Sequence, residues 1–152
     1  MSNKNMISCM LNVVHHVNMK EDDVLISFLP LAHVFGRVVY FQMLAFGGSI
    51  GNYGGDIKKI VEDINILKPT FFPCVPRLFN RIYDLLTGGI EKLDEPVKEG
   101  VKKLLAAKME IYKKTGQVVS EELDKHPVLA NFRGKLGGRV RIALTASAPL
   151  SV

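Results

Sequence analysis

The sequence has no tryptophan, only two cysteines, and no apolar run near the roughly 20 residues that cross a bilayer. Each absence excludes something. Cys9 and Cys74 stand far apart with no metal-type spacing, so one disulfide is possible but unadvertised and no cysteine metal site is encoded. Both read as buried thiols of a reducing, intracellular compartment. The longest apolar stretch, VVYFQMLAF, is too short to span a membrane and is flanked by Arg37 and the Gly47-Gly48 pair. The N-terminus lacks an apolar core followed by a small-residue cleavage site, so it reads as a poor secretory signal. GGSIGNYGG is glycine-rich but has neither GxGxxG spacing nor a following Lys-Ser/Thr, so it is not a phosphate loop. His15 and His16 are adjacent, about 100° apart on a helix, and cannot form an i,i+4 metal pair. No aromatic is interleaved with a basic stripe, so nucleic acid is not an expected partner.

What is there suits one domain with a sizeable core: 152 residues, 47% hydrophobic and 23% charged. A formal net charge of +5 permits attraction to anionic lipid, nucleotide or nucleic acid without choosing among them.

Two compositional zones alternate. Residues 1–86 and 136–152 are apolar with short elements, whereas 88–135 is rich in lysine and glutamate. A helix is expected over about 3–18, with Ser2 or Asn3 as its cap and Ile7, Leu11, Val14 and Val17 as its packed stripe. VLISFL (24–29) reads as a buried strand stopped by Pro30, and GRVVYFQMLAF (36–46) as a buried helix or, less well, a strand. GSIGNY (48–53) reads as a strand. GDIKKIVEDINILK (55–68) is the clearest helix, with Asp56 placed to cap it and Pro69 to stop it. TFFPCV (70–75) is strand-like, and its Pro73 suggests an irregular or edge position. RLFNRIYDLL (77–86) is helical through Leu78, Phe79, Ile82 and Leu85, and VRIALT (140–145) is a final strand. Strands alternating with helices at this spacing predict an α/β fold, a parallel sheet flanked by helices. The 88–135 zone is an appended helical insert with Val97, Val101, Leu104, Leu105 and Tyr112 on one stripe among lysines.

Ligands of open parallel sheets bind beyond the carboxyl ends of the strands. Three turns, each with a proline, would arrive there: PLAHVFG, PRLFNR and ASAPLS. They supply His33, Arg77 and a small-residue turn in which backbone N–H groups can meet an anionic or polar atom. No nucleophile–base pair is visible. The bland alternatives are a packed or solvated His33, a surface Arg77, a generic turn at 146–149, and a solvated lysine-rich helix. Against the last stands a basic amphipathic surface for membranes.

DDVLISFLPLAHVFGRV, KPTFFPCVPRLFNRIYD and LGGRVRIALTASAPLS, preceded by SNKNMISCM, together resemble the ATP-dependent adenylate-forming enzymes, and within them the long-chain fatty acid–CoA ligases. The likeness spans nearly the whole chain in the right order, and the helical insert is typical of the long-chain group. It implies activation of a long-chain fatty acid with ATP and magnesium to an acyl-adenylate, then transfer to coenzyme A. Carried over by position, it puts His33 and Phe35 beside the acyl group and thioester, and Ala146, Ser147 and Ala148 against the nucleotide, with no catalytic nucleophile and no resident metal. Ala146 stands where the family more often has glycine, and Gly36 where it often has an acidic residue. The family's phosphate-gripping loop, Tyr-Gly-x-Thr-Glu segment, ribose-binding aspartate and C-terminal lid are not in these 152 residues. The expectation is an internal slice of the N-terminal domain, inactive alone, prone to self-association, with the whole enzyme peripheral to a membrane. The alternatives are a ligase for another acid, or a non-catalytic module that binds membrane or a partner.

Overall fold

The computed structural model describes residues 2–91, 93–116 and 125–149, apart from the side chains of Val14, His15 and Leu86. The Val14 position of the first stripe, the orientation of His15, the 117–124 part of the insert and the end of the last turn therefore lie outside the described residues. The elements in chain order are α1 (Asn3–His16), β1 (Val24–Ser27), α2 (Val34–Ala45), β2 (Ser49–Asn52), a 3-10 turn (Ile57–Lys59) leading into α3 (Ile60–Leu67), β3 (Phe71–Cys74), α4 (Pro76–Glu91), α5 (Glu95–Thr115), α6 (Pro127–Gly134) and β4 (Ile142–Thr145). They divide into two compact units, Met1–Pro76 with Lys135–Val152, and Arg77–Gly134.

The first unit is built on a four-stranded sheet of order β2-β1-β3-β4, all pairs parallel. The chain runs outward from β1 to β2, then returns past β1 to β3. Right-handed crossovers in opposite directions put their helices on opposite faces. α1 and α2 pack together, with α2 against β1 and β2. Val17, Met19, Leu25, Val39, Met43 and Phe71 form the core on that side. Ile26 and Phe72 alternate to the other face, where the Phe28 and Phe72 rings lie 5.9 Å apart. Leu25, Ile26, Phe71 and Phe72 are at most 1% exposed, and each full burial stabilises by about 1.5–3 kcal/mol.

Local signals set the element ends. Ser2 caps α1, its hydroxyl accepting from the Asn5 N–H at 3.2 Å. Asp56 does the same for Lys58 N–H at 2.9 Å. Lys68 closes α3 in the left-handed region at φ 51°, and Pro69 prevents further helix. Gly137, at φ +77°, packs against this end. A Cβ there would lie 2.9 Å from both the Ile64 carbonyl oxygen and Lys68 Cα.

Four expectations need correction. The packed row of α1 is Met6, Met10, Val13 and Val17, while Ile7 and Leu11 are exposed. The helix is turned by one residue, with Met10 held to α2 by Gln42, whose Nε2 donates to the Met10 carbonyl at 2.9 Å. α2 is buried on one side only, since Phe41 and Leu44 face outward. Cys9 is exposed on α1, and only Cys74 is buried; neither is in a disulfide. Pro73 is not at an edge, because β3 lies between β1 and β4. β1 registers with β3 only at Leu25↔Phe71, so the proline, which has no N–H, falls past the point where that ladder lapses. The irregularity expected there is real.

In the second unit, α5 begins with Pro96 in its first turn and ends at Gly116, φ +68°. Val101 is its buried residue. Lys98 pairs with Glu91 and, at 3.4 Å, with Glu95. Among the described residues no helix is long and apolar enough to cross a membrane.

Candidate functional site

Because β1, β3 and β4 are parallel, the segments that follow them leave from one edge of the sheet. The order reverses between β1 and β3, the switch point at which open α/β sheets form their ligand crevice. Two segments of the first unit line this edge.

The first is the Pro30–His33 turn. His33 N–H donates to the Pro30 carbonyl at 3.0 Å, and the His33 carbonyl accepts from Arg37 N–H at 3.1 Å. His33 is thus the N-cap of α2 by backbone, and its side chain makes no cap hydrogen bond and is exposed. Arg37 clasps the turn from below, its Nε donating to the Leu31 carbonyl at 2.9 Å and its Nη2 reaching the Ala32 carbonyl at 3.5 Å. Gly36 lets the helix come this close. A Cβ there would sit 2.8 Å from the Pro30 oxygen and 3.0 Å from Leu29 Cβ. That closeness leaves no room for a larger side chain in this turn as it stands. Phe35 is half-buried and packs against the core.

The second is the turn after β4. Ala146 is half-buried, and Ser147 and Ala148 are exposed. Ser147 holds φ +79°, a left-handed conformation that costs a non-glycine residue about 1–2 kcal/mol. Just before it, the buried Thr145 hydroxyl has no hydrogen-bond partner among the described residues. Unsatisfied buried groups and strained backbone are rare in structural turns and gather at binding sites.

Beside the first turn an open cleft of about 380 Å³ is lined by Ser2, Asn3, Met6, Leu31, Arg37 and Phe41. It pairs an apolar wall with a guanidinium and the amino end of α1, a combination suited to an amphiphile with an anionic head. Arg77 is exposed in the first turn of α4 and belongs to the second unit. Among the described residues no three His, Cys, Asp or Glu side chains gather to hold a metal ion.

The opposite edge carries a closed polar cluster. Asp23, 1% exposed, accepts from Lys20 N–H (2.8 Å), the Thr70 hydroxyl (2.6 Å) and Arg141 Nε (2.8 Å), and its second oxygen meets Arg141 Nη2. The Thr70 hydroxyl also accepts from Val24 N–H at 2.8 Å. Burial works to raise the Asp23 pKa, but the hydrogen bonds from Arg141, Thr70 and Lys20 together outweigh it and hold the carboxyl below its usual range. This cluster ties the starts of β1, β3 and β4 together, away from the ligand edge. Sequence reasoning missed it, along with the Arg37 clasp and Thr145. The available signals were an acid opening an apolar strand, an arginine opening another, and an arginine one turn after His33.

This is a doubly wound α/β unit with a ligand-type edge, and comparison with known proteins supplies its family. The chain belongs to the family described as AMP-binding enzyme, which matches residues 1–152. It is 39% identical to long-chain-fatty-acid–CoA ligase 1 of Homo sapiens over 89% of this chain and 19% of that protein. It is 42% identical to long-chain-fatty-acid–CoA ligase 5 of Mus musculus, over 86% and 19% respectively. The long chain acyl-CoA synthetase 5 of Arabidopsis thaliana is 36% identical over 99% of this chain and 23% of that protein. The chain therefore spans about a fifth of the length of these relatives. No solved structure gives a significant match.

Proposed function

We propose that this chain supplies part of the acyl-adenylate site of a long-chain fatty acid–CoA ligase. The observation that carries the reading is the pair of unusual turns at one sheet edge, the clasped His33 turn and the strained 146–148 turn, in a member of the AMP-binding family. In the reaction, a fatty acid carboxylate oxygen attacks the α-phosphorus of ATP. Pyrophosphate leaves and the mixed anhydride forms. The thiol of coenzyme A then adds to the acyl carbonyl and AMP leaves, giving the thioester. Magnesium arrives with the ATP phosphates, as part of the substrate.

The roles follow from chemistry each residue can perform. Ala146, Ser147 and Ala148 are small enough for a purine nucleoside to approach the backbone, whose N–H and C=O groups then hold it. His33, exposed at the end of its turn, lines the acyl carbonyl, and Phe35 backs the turn from the core side. Such a site works by holding the reactants and stabilising charge at phosphate and carbonyl, which requires positioned donors rather than a protein nucleophile. The long-chain acid as substrate also brings the protein to lipid surfaces, where such acids partition.

The test is an NMR titration of the chain with palmitoyl-sulfamoyladenosine, a hydrolysis-resistant mimic of the acyl-adenylate, and with AMP. The expected result is shifts at Thr145–Ala148 for both, and at Ala32–Phe35 for the acyl mimic alone. Shifts confined to other regions, or none at millimolar mimic, refute it.

A further inference from the structure

One edge of α5 is apolar, exposed and basic together. Leu105, Met109 and Tyr112 are 42%, 55% and 49% exposed. Their spacing of four and three puts them within an arc of about 60°. Lys102 and Lys113 fall about 20–40° from Met109 on the same flank, and Glu99 and Glu110 lie beyond them. Across 95–115 there are six lysines against three glutamates. The charges are not all internally spent. Lys98 is engaged by Glu91, an ion pair that raises the lysine pKa and lowers that of the carboxyl, and Lys103 pairs with Glu99 at 2.9 Å. Lys102 has only a loose contact to Glu91 at 3.8 Å, and Lys113 has no ion pair among the described residues.

We propose that this edge of α5 is a docking surface for an anionic lipid bilayer. Leu105, Met109 and Tyr112 enter the headgroup–acyl boundary, and Lys102 and Lys113 meet the lipid phosphates and carboxylates. An apolar row bordered by exposed cations, one of them only loosely paired, is the pattern of a helix lying in the membrane plane. A protein groove would cover the apolar row but would bury the lysines against it, at a desolvation cost. Three side chains insert little area, so attachment is weak without anionic lipid, and the surface senses charge. The proposal deepens the reading above by naming where a membrane-partitioned acid would be met, but its physical test does not depend on that reading.

The absence of tryptophan makes the test clean. A Tyr112→Trp variant carries the sole indole, and Ile66→Trp, on the exposed side of α3 in the other unit, is the control. Each is mixed with phosphatidylcholine vesicles with or without phosphatidylserine, at low and high salt. The expected result is salt-reversible binding to the anionic vesicles, with a blue shift and quenching by brominated lipid for Tyr112→Trp and neither for Ile66→Trp. Each lysine near an anionic surface contributes roughly fivefold to partitioning, so Lys102→Glu/Lys113→Glu loses at least about 25-fold. Equal binding to neutral vesicles, equal responses of the two indoles, full binding by the charge-reversed variant, or no binding at low salt overturns it. Binding to polyglutamate but not to vesicles also overturns it, in favour of an acidic protein. Circular dichroism of the variants separates lost binding from lost helix, and Met109→Ser, which keeps every lysine, must weaken anionic-vesicle binding while leaving polyglutamate untouched.

Discussion

Replacing Asp23 by asparagine is the sharpest test of what holds the strand starts together. The carboxylate accepts four hydrogen bonds, from Lys20 N–H, the Thr70 hydroxyl and two nitrogens of Arg141. An amide offers one acceptor oxygen. Whichever way it is flipped, its NH2 confronts two donors, and Arg141 loses its counter-charge. Breaking a buried pair from one side costs about 3–5 kcal/mol. Arg141 keeps a side-chain exposure of 31%, and water compensates it in part, which brings the expectation to about 3 kcal/mol. The readout is urea unfolding followed on the methyl resonances of Leu25 and Ile26, which report the first unit alone. The pH dependence follows from the lowered carboxyl pKa. The unfolded chain takes up its proton near the usual value of 3.8, before the folded one does. The pair's contribution is therefore fully present above that pH and is lost as pH falls through the folded value. The gap between wild type and Asp23→Asn should thus be widest near neutrality and narrow below about pH 4. A gap under about 1 kcal/mol at neutral pH, or one that does not narrow in acid, refutes the argument. Should the variant be unfolded without urea, Thr70→Val is the milder probe. It removes one bond to Asp23 and the acceptor of Val24 N–H, for about 1–3 kcal/mol.

Three further outcomes follow from the geometry. Gly36→Ala must push its new methyl away from the Pro30 oxygen, 2.8 Å from the ideal Cβ, at about 1–3 kcal/mol in a thermal melt, with amide shifts concentrated in the His33 turn. Arg37→Ala releases the Leu31 and Ala32 carbonyls, so the His33 amide should exchange at least roughly tenfold faster while Ile26 and Phe72 amides are unchanged; Arg37→Lys restores this only in part, lacking the planar fork. Lys68→Gly relieves a left-handed cap at φ 51° and should stabilise by about 0.5–1 kcal/mol, a rise of about 2 °C in the melting midpoint.

The elements of the sheet unit were legible because their signals are local. Asp56, Pro69 and the Ile60/Ile64 row act within a few residues, and the helix and strand boundaries fall near the expected ones. The errors arise where two local patterns are equally good or where the deciding partner is distant. In α1 both Ile7/Leu11 and Met6/Met10 are apolar rows, and periodicity cannot tell which meets the sheet. The bond from Gln42 to the Met10 carbonyl and the burial of Val17 decide it. Pro73 suggested an edge because a proline interrupts a ladder, but only one of the two ladders of β3 needs to lapse there. The Asp23–Arg141 pair joins residues 118 apart in sequence, and no spacing rule reaches that far. In the candidate site, His33 and the small-residue turn stood out by composition. Arg37 did not, because an arginine in the first turn of a helix looks like surface until its clasp on two carbonyls is seen.

The two edges of the sheet are built on opposite principles, and this bears on function more than any single residue. At the amino edge a buried carboxylate has both oxygens satisfied, and three strand starts converge on it. At the carboxyl edge the imidazole of His33 makes no cap bond, Ser147 holds a left-handed backbone, and the Thr145 hydroxyl is buried without a partner among the described residues. A sheet that spends its polar satisfaction on one edge can hold the other rigidly in a less favourable state. On the function proposed above, binding recovers that cost, because a ligand supplies the missing partners to groups already fixed in place. The direction of coupling follows: loosening the Asp23 cluster should weaken a ligand held at 146–148 even though no atom of the cluster touches it. In Thr70→Val the affinity for palmitoyl-sulfamoyladenosine should fall, whereas Lys68→Gly, which leaves the strand starts intact, should keep it. Equal affinities in all three proteins would mean that the carboxyl edge is organised by its own turns alone.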